Sequence, residues 1–558
     1  METPDSGNFL RTDRTVKRDR VFRVFTLVKF ILPIVFALFA VRLNGNLVFA
    51  FAVLAECLIV FLITNLISFW NTIVAWFLGV ILMLTVYLQS LVLFFTGDYV
   101  LLIMLTNLDS IEAIKGRAVQ YGLMIALSLI VIFLPVKNFK IDFVKRSGIL
   151  SLICLLTVGW VPYMLEDYSP YANLIWLIEK IQIKNQTEDR IRNLMNNDED
   201  AAELLAEFYS ESVGDGIVPP DGLPYEPNIV LIFTEGLSMN VIRDERNIMP
   251  NVTYYMENGL HFENYYDHTA ATFRGIIGQL YSSHQYNNGD TNLLVSLQSV
   301  MSSYGYETTF VNPEPQNQIF TDYLASFGFD TLTSGGVEDY ILSDEETYNL
   351  VFESLSEGEE NGTPQFVAAY TFGTHVGNDS PSHEFGDGSN RLLNRFRYCD
   401  WAFGEFMDRL RDSGLMENTL IVFTADHATY VDDEYILTFY PDYERDHAFC
   451  DKIPLIFYYD GITPETIDAD GRNSLDLAPT IMDYLDIDSP NYFLGTSLFQ
   501  QSRNSFVERV FCVPDSDWSC YTGDGDLRNL TEEENEEYME YIESYLALTS
   551  RNGIMPSG

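Results

Sequence analysis

Long apolar runs fill the first third of the chain, and short ones punctuate the rest. The runs at 22–41 (VFRVFTLVKFILPIVFALFA), 47–70, 72–96, 119–136 and 148–165 each approach the roughly 20 residues a helix needs to cross a bilayer. They predict a five-helix membrane domain over 22–166. YVLLIMLTNL (99–108) is too short to cross and is expected at the interface. The first run is too long for a signal peptide and lacks a small-residue cleavage site. Beyond residue 166 the pattern changes. NLIWLIEKIQ and DAAELLAEFYSES show amphipathic helical spacing until VPPDGLP breaks it, which marks 167–225 as a helical linker. Short apolar runs follow: NIVLIF (228–233), ETTFV (307–311), QFVAAYTF (365–372), TLIVFTA (419–425) and IPLIFYY (453–459). Helical stretches such as NRFRYCDWAFGEFMDRLRDSGL and LDLAPTIMDYLDI separate them. Fully apolar strands alternating with helices predict an α/β domain whose sheet is largely parallel and covered on both faces.

Charge sharpens this division. Residues 1–165 hold 14 Lys/Arg against 9 Asp/Glu, which leaves 19 against 70 for the remainder of a chain whose net charge is −46. So acidic a second part excludes nucleic acid as partner, because phosphate binding needs clustered cations. Salt adaptation and simple solubility both fit the acidity. Arg11, Arg14, Lys17, Arg18, Arg20 and Arg23 precede the first span, and Lys137, Lys140, Lys145 and Arg146 lie between the fourth and fifth. Both clusters belong on the inner side. An odd number of spans then places everything after residue 166 outside. Lys29 and Glu56 fall within spans, where an ion pair between them or snorkelling of Lys29 is expected. Cys399, Cys450, Cys512 and Cys520 would face an oxidising exterior; Cys512 and Cys520 are the nearest pair, but spacing does not determine connectivity.

Candidate chemistry gathers at the strand ends, since ligands of such sheets bind beyond the carboxyl ends of the strands. NIVLIFTEG ends on Glu235, QFVAAYTFGTH near His375, and TLIVFTADH on Asp426 and His427. A carboxylate ending a buried strand is costly unless its charge is compensated. A helix cap or salt bridge accounts for any one of these, but three strands converging on carboxylates and imidazoles point to a metal site. Oxygen and nitrogen ligands suit manganese, zinc or magnesium. In YYDHTAATFRGIIGQLYSSHQ the spacing of Ile276, Ile277 and Leu280 puts Thr272 at a helix start. There a threonine is either an N-cap or a hydroxyl poised beside a bound phosphate.

Taken in order, NIVLIFTEG, TFRGIIG, FGTH, RYCDWAFGEFMDRLRDSGLMENTLIVFTADH, IPLIFY, LDLAPTIMDYLDI and LGTSL resemble the sulfatase-like branch of the alkaline phosphatase superfamily. With the membrane anchor, the likeness narrows to lipoteichoic acid synthase and related phosphoglycerol transferases. With the orientation read from the basic clusters, the chain is expected to divide into a cytoplasmic segment 1–21, the membrane domain, the linker, an extracytoplasmic sulfatase-like catalytic domain over 226–510 and an acidic C-terminal segment over 511–558. The resemblance implies one divalent ion, usually manganese, held by Glu235, Thr272, Asp426 and His427, with Thr272 as nucleophile rather than Thr269. His375 would line the substrate site. His447 is either a second pocket histidine or a surface residue, and Arg274 either a cation for the phosphate or a solvent-facing side chain.

Two departures matter. The CxPSR or SxPSR motif of true sulfatases is absent, so sulfate-ester hydrolysis is not expected. The Trp and Arg that the synthases carry before the element matching SFGFDTL are missing; Gln316, Asn317 and Gln318 stand there instead. The implied reaction moves glycerol phosphate from phosphatidylglycerol to an envelope polymer or glycolipid through a phospho-threonine. Phosphoethanolamine transfer by the same machinery is the second reading, and a non-catalytic protein binding envelope polymers the third.

Overall fold

The computed structural model describes residues 6–106, 118–136, 168–195, 198–213, 223, 226–445, 447–516, 518–523 and 527–549. The chain divides into two compact units, residues 1–105 with 117–182 and residues 106–116 with 183–558.

In the first unit, helices Asp19–Asn44, Val48–Ser68 and Thr72–Thr96 are long and apolar enough to cross a membrane. Their outward positions stay apolar, as a lipid-facing surface requires: Leu54, Leu58, Phe77, Ile81 and Leu84 are all exposed. Asn71 starts the third helix by accepting from the N–H groups of Ile73 and Val74, and Gly97 ends it at φ +81°. The fourth predicted span is a helix of only 15 residues, Ala118–Ile132. The fifth, with Lys137, Lys140, Lys145 and Arg146, lies outside the described residues. The structure therefore carries three spans among the described residues where the pattern predicted five.

Lys29 and Glu56 do not pair. Glu56 accepts from the Ser169 hydroxyl and from Tyr171 N–H (3.3 Å), at the start of helix Pro170–Met195. The free N–H groups of a helix N-terminus attract a carboxylate, which offers Glu56 a better partner than a flexible ammonium. Lys29 is fully buried rather than snorkelling.

The second unit is built on an eight-stranded sheet of order β4-β3-β5-β1-β6-β7-β2-β8. Its strands are β1 (Asn228–Thr234), β2 (Leu260–Glu263), β3 (Glu307–Val311), β4 (Thr331–Thr333), β5 (Gln365–Thr371), β6 (Thr419–Ala425), β7 (Leu455–Tyr458) and β8 (Glu465–Asp468). All neighbours run parallel except where β7 meets β6 and β2. The five apolar runs are the central strands. β1, β5 and β6 are buried at every residue, because helices cover both faces. Helix Arg391–Ser413 shows how they are held. Its buried Asp400 accepts from Val252 N–H (2.8 Å) and from the Asn251 side chain, which ties it to helix Pro250–Glu257.

The described residues beyond 510 pack into this unit. β9 (Val510–Val513), β10 (Trp518–Tyr521) and β11 (Arg528–Asn529) make a small antiparallel sheet. Helix Glu532–Thr549 buries Tyr538, Ile542 and Tyr545 against Phe208. The nearest cysteine pair does not form. Cys512 stands opposite Ser519 on the β9–β10 ladder, so side-chain alternation sends Cys520 to the other face.

The strongest tie is a buried ion pair, with Arg274 Nη2 lying 2.6 Å from Asp515 Oδ2 and both side chains at 0% exposure. Breaking one half of such a pair strands a charge, so Asp515→Ala should cost the domain about 3–5 kcal/mol. Glu534→Ala breaks the exposed Arg528–Glu534 pair and should leave stability almost unchanged, because solvent screens it. Urea melts check this, and equal losses would contradict the assignment.

Candidate metal centre and active site

Register brings the site together. Thr234 of β1 pairs with Thr371 of β5 on one side and Ala425 of β6 on the other. The next residues, Glu235 and Asp426, therefore emerge side by side at one sheet edge. Asp426 Oδ1 accepts from the N–H groups of Gly236 (2.9 Å) and His427 (2.8 Å), which aims Oδ2 away from the backbone. His427 Nδ1 faces the Ala428 carbonyl at 2.7 Å. Donation there leaves the Nε2 lone pair free. Nε2 lies 3.4 Å from Asp426 Oδ2 and 3.5 Å from Glu235 Oε1.

Helix Thr272–Tyr281 delivers the hydroxyl. Ala271 enters it at φ +75°, a strained conformation for a residue with a Cβ, and Thr272 Oγ1 donates to Glu235 Oε2 at 3.0 Å. The helix comes this close because of Gly275: a Cβ there would lie 2.1 Å from the Asp426 carbonyl oxygen. Gln279 seals the contact by donating to the carbonyls of Ala425 (2.9 Å) and Asp426 (3.2 Å). Thr269, the other hydroxyl of the loop, is buried with no hydrogen-bond partner, whereas Thr272 is partly open.

Two carboxylates and an imidazole with atoms within 4.8 Å of one another, all buried, form a cluster suited to a metal ion. Asp426 Oδ2 and His427 Nε2 have no hydrogen-bond partner although both are buried. Orphaned acceptors of this kind are what a cation would satisfy, so the residues fit a divalent ion with mixed oxygen and nitrogen ligands. The titration balance agrees. Burial, and then the charge of Glu235, push the Asp426 carboxyl up to about 7. Burial also opposes ionisation of Glu235, but His427 and His375, with hydrogen bonds from Tyr370 and Thr272, hold it below its ordinary value. Burial opposes a charged His427, and the two carboxylates outweigh it and raise its basicity.

His375 lies just past β5, with Nδ1 2.9 Å from the Val376 carbonyl and its ring stacked on Phe372 at 4.5 Å. Burial pulls its basicity below the ordinary value. Asn378 braces this turn by donating to the Phe372 carbonyl (2.8 Å). His447 is half-buried in the loop whose Ala448 carbonyl accepts from Val431 N–H. Arg274 does not face solvent: its side chain is fully buried and paired with Asp515.

Three contributors escaped the sequence reading. Tyr370 donates its hydroxyl to Glu235 Oε2, and Thr374 donates to the Glu235 carbonyl at 2.5 Å. Asp267 accepts from Ala428 N–H (3.0 Å) and Asp451 N–H (3.1 Å), which fixes the turn after His427. The one visible signal was a tyrosine within the apolar run QFVAAYTF.

The family model described as Sulfatase matches residues 227–487. A 134-residue stretch, 22% of this chain and 22% of the relative, is 34% identical to "Lipoteichoic acid synthase-like YvgJ" of Bacillus subtilis (strain 168). "Lipoteichoic acid synthase 2" of the same organism is 21% identical over 303 residues, 48% of this chain and 46% of the relative. The matched stretches thus span less than half of each curated relative. Among solved structures, the lipoteichoic acid synthase LtaP of Listeria monocytogenes is 16% identical with TM-score 0.46, covering 62% of this chain and 98% of that one. A Vibrio parahaemolyticus protein of the alkaline phosphatase superfamily is 17% identical with TM-score 0.47, covering 61% and 88%.

A protonated Asp426 cannot ligate, so metal affinity should fall as pH drops below about 7, with proton release on binding. The metal-free form should behave oppositely. Its folded carboxyl sits above the unfolded 3.8, so the stability Asp426 contributes is complete below that pH and is lost as pH rises through about 7. Calorimetric titration with manganese at several pH values, and melts of the chelated protein, test both signs. Affinity that stays the same from about pH 5 to about pH 8 would contradict the ligand role of Asp426.

Proposed function

We propose that the chain, whose residues 227–487 match the Sulfatase family model and which is similar in part to lipoteichoic acid synthases, is a membrane-anchored phosphoglycerol transferase. In this reading it moves glycerol phosphate from phosphatidylglycerol to an envelope polymer or glycolipid. The observation that carries the reading is the Thr272 hydroxyl 3.0 Å from Glu235, at a helix N-terminus beside the Glu235–Asp426–His427 cluster. A binding module has no use for a partly open hydroxyl held in that position by a strained turn at Ala271.

Glu235, Thr272, Asp426 and His427 would hold one divalent ion, manganese in the first instance. When bound, it would lower the pKa of the Thr272 hydroxyl and offset charge on the phosphoryl oxygens. Thr272 Oγ attacks phosphorus, the bond to the diacylglycerol oxygen breaks, and a phospho-threonine forms. An acceptor hydroxyl then attacks the same phosphorus and frees Thr272. His375, held neutral by burial and with Nδ1 committed to Val376, relays the proton through Nε2. It passes from Thr272 to diacylglycerol in the first step and from the acceptor to Thr272 in the second. The free N–H groups at the start of helix Thr272–Tyr281 receive phosphate oxygens as charge develops. His447 would lie at the rim of the pocket. Anchoring keeps the site at the lipid surface, where donor concentration is high.

One observation favours the second reading, phosphoethanolamine transfer. The segment after β3 packs Phe320 against Phe273 (4.9 Å) and Tyr370 (5.8 Å), beside the site, and it carries buried Glu314 with no arginine. A carboxylate there would complement an ammonium head group.

Membranes containing the protein, supplied with manganese and with phosphatidylglycerol or phosphatidylethanolamine labelled in the head group, test these readings. Label is expected to move from phosphatidylglycerol; movement from phosphatidylethanolamine alone selects the second reading, and movement from neither sinks both. Thr272→Ala should lower transfer by about 10³-fold or more, as loss of a nucleophile does, and abolish the phospho-peptide, while Thr269→Ala keeps most activity. A phosphate mapped to Thr269 would overturn the assignment.

We further propose a multi-pass chain with the catalytic domain outside, as the basic N-terminal cluster suggests. Protease added to intact cells should then degrade residues 183–558 while cytoplasmic controls survive. Protection of that region would refute the orientation.

A further inference from the structure

Cys450 and Cys520 are 70 positions apart in the sequence, yet they meet in the fold. Both are buried, at 0% and 2% exposure, and their thiols are in hydrogen-bonding contact. The backbone explains why. Tyr266 bridges to Lys452, and Asp267 N–H donates to the Asp451 carbonyl at 3.2 Å, so the residues after Cys450 run along the stretch 266–267. The next residue of that stretch, His268, accepts through its carbonyl from Cys512 N–H of β9 at 2.9 Å, and β9 pairs with the strand carrying Cys520. Next to Cys450, Phe449 meets Trp518 with ring centroids 4.4 Å apart. Backbone pairing on both sides and an aromatic contact therefore hold the two sulfurs together.

We propose that Cys450 and Cys520 are the disulfide pair of the catalytic domain. The inference draws on the proposed outer placement only for its oxidising surroundings. Each thiol gives up one proton and one electron as the S–S bond forms. A disulfide-type oxidant takes up both electrons and both protons and becomes two thiols. The remaining cysteines of the domain are engaged elsewhere: Cys399 bonds to Asp344, and Cys512 Sγ lies 4.0 Å from Met539 Sδ.

The bond would serve the metal centre. Asp451, next to Cys450, donates its N–H to Asp267, and Asp267 accepts from the Ala428 N–H beside His427. Stapling Cys450 to β10 closes a long loop in the unfolded chain and holds the residue through which Asp267 braces the metal-site turn.

The test uses full-length protein purified without reductant, equilibrated with oxidised glutathione, alkylated and mapped by mass spectrometry. One peptide joining Cys450 to Cys520 is expected, with Cys399 and Cys512 alkylated. Dithiothreitol should lower the melting temperature by several degrees in the wild type and leave the Cys450→Ser, Cys520→Ser double variant unmoved. Alkylation of both Cys450 and Cys520, a cross-link of either to another cysteine, or an unchanged dithiothreitol shift in the double variant would overturn the proposal. Should the double variant fail to fold, the wild-type peptide map decides. Because the oxidant is supplied to purified protein, the result does not depend on which side of the membrane the domain occupies.

Discussion

Two carboxylates, Glu235 and Asp426, leave adjacent parallel strands at the same level and are buried together. Like charges this close cannot both ionise in a dry site without a compensating cation. Everything around them reflects that constraint. The backbone N–H groups of Gly236 and His427 hold one oxygen of Asp426, while Tyr370 and Thr272 donate to Glu235. His427 turns its free nitrogen into the gap between them. A divalent ion would fill the gap and compensate both carboxylates.

The same constraint shapes the approach of Thr272, the proposed nucleophile. To reach Glu235, the Thr272 helix must press onto the end of β6, and only a residue without a Cβ fits at 275. The approach is held from behind as well, since Arg274 on the same helix is locked by Asp515. Asp515 therefore acts at a distance, by fixing the helix that carries Thr272. Positive φ at Ala271 is the local cost of turning abruptly from the loop into that helix.

How much of this was legible follows from which signals are local. The five apolar runs became the central strands because burial on both faces leaves a continuous hydrophobic run. Glu235, Asp426 and His427 stood out as polar residues ending such runs. β2, β4 and β8 escaped because they are short, and β8 is largely exposed. The reversed direction of β7 escaped because direction leaves no trace in composition. Arg274 was misjudged for a similar reason: its partner lies 241 positions away, where no spacing rule reaches. Glu56 was misjudged because its partners, the Ser169 hydroxyl and the N-terminus of the helix that follows, lie more than a hundred positions away in the sequence.

Crystals of the protein grown with manganese would test the paired-carboxylate site most directly, through anomalous scattering from the ion. The predicted result is one strong peak within bonding distance of Glu235, Thr272, Asp426 and His427. No peak between the two carboxylates, or a peak that leaves Asp426 and His427 uncoordinated, would contradict it.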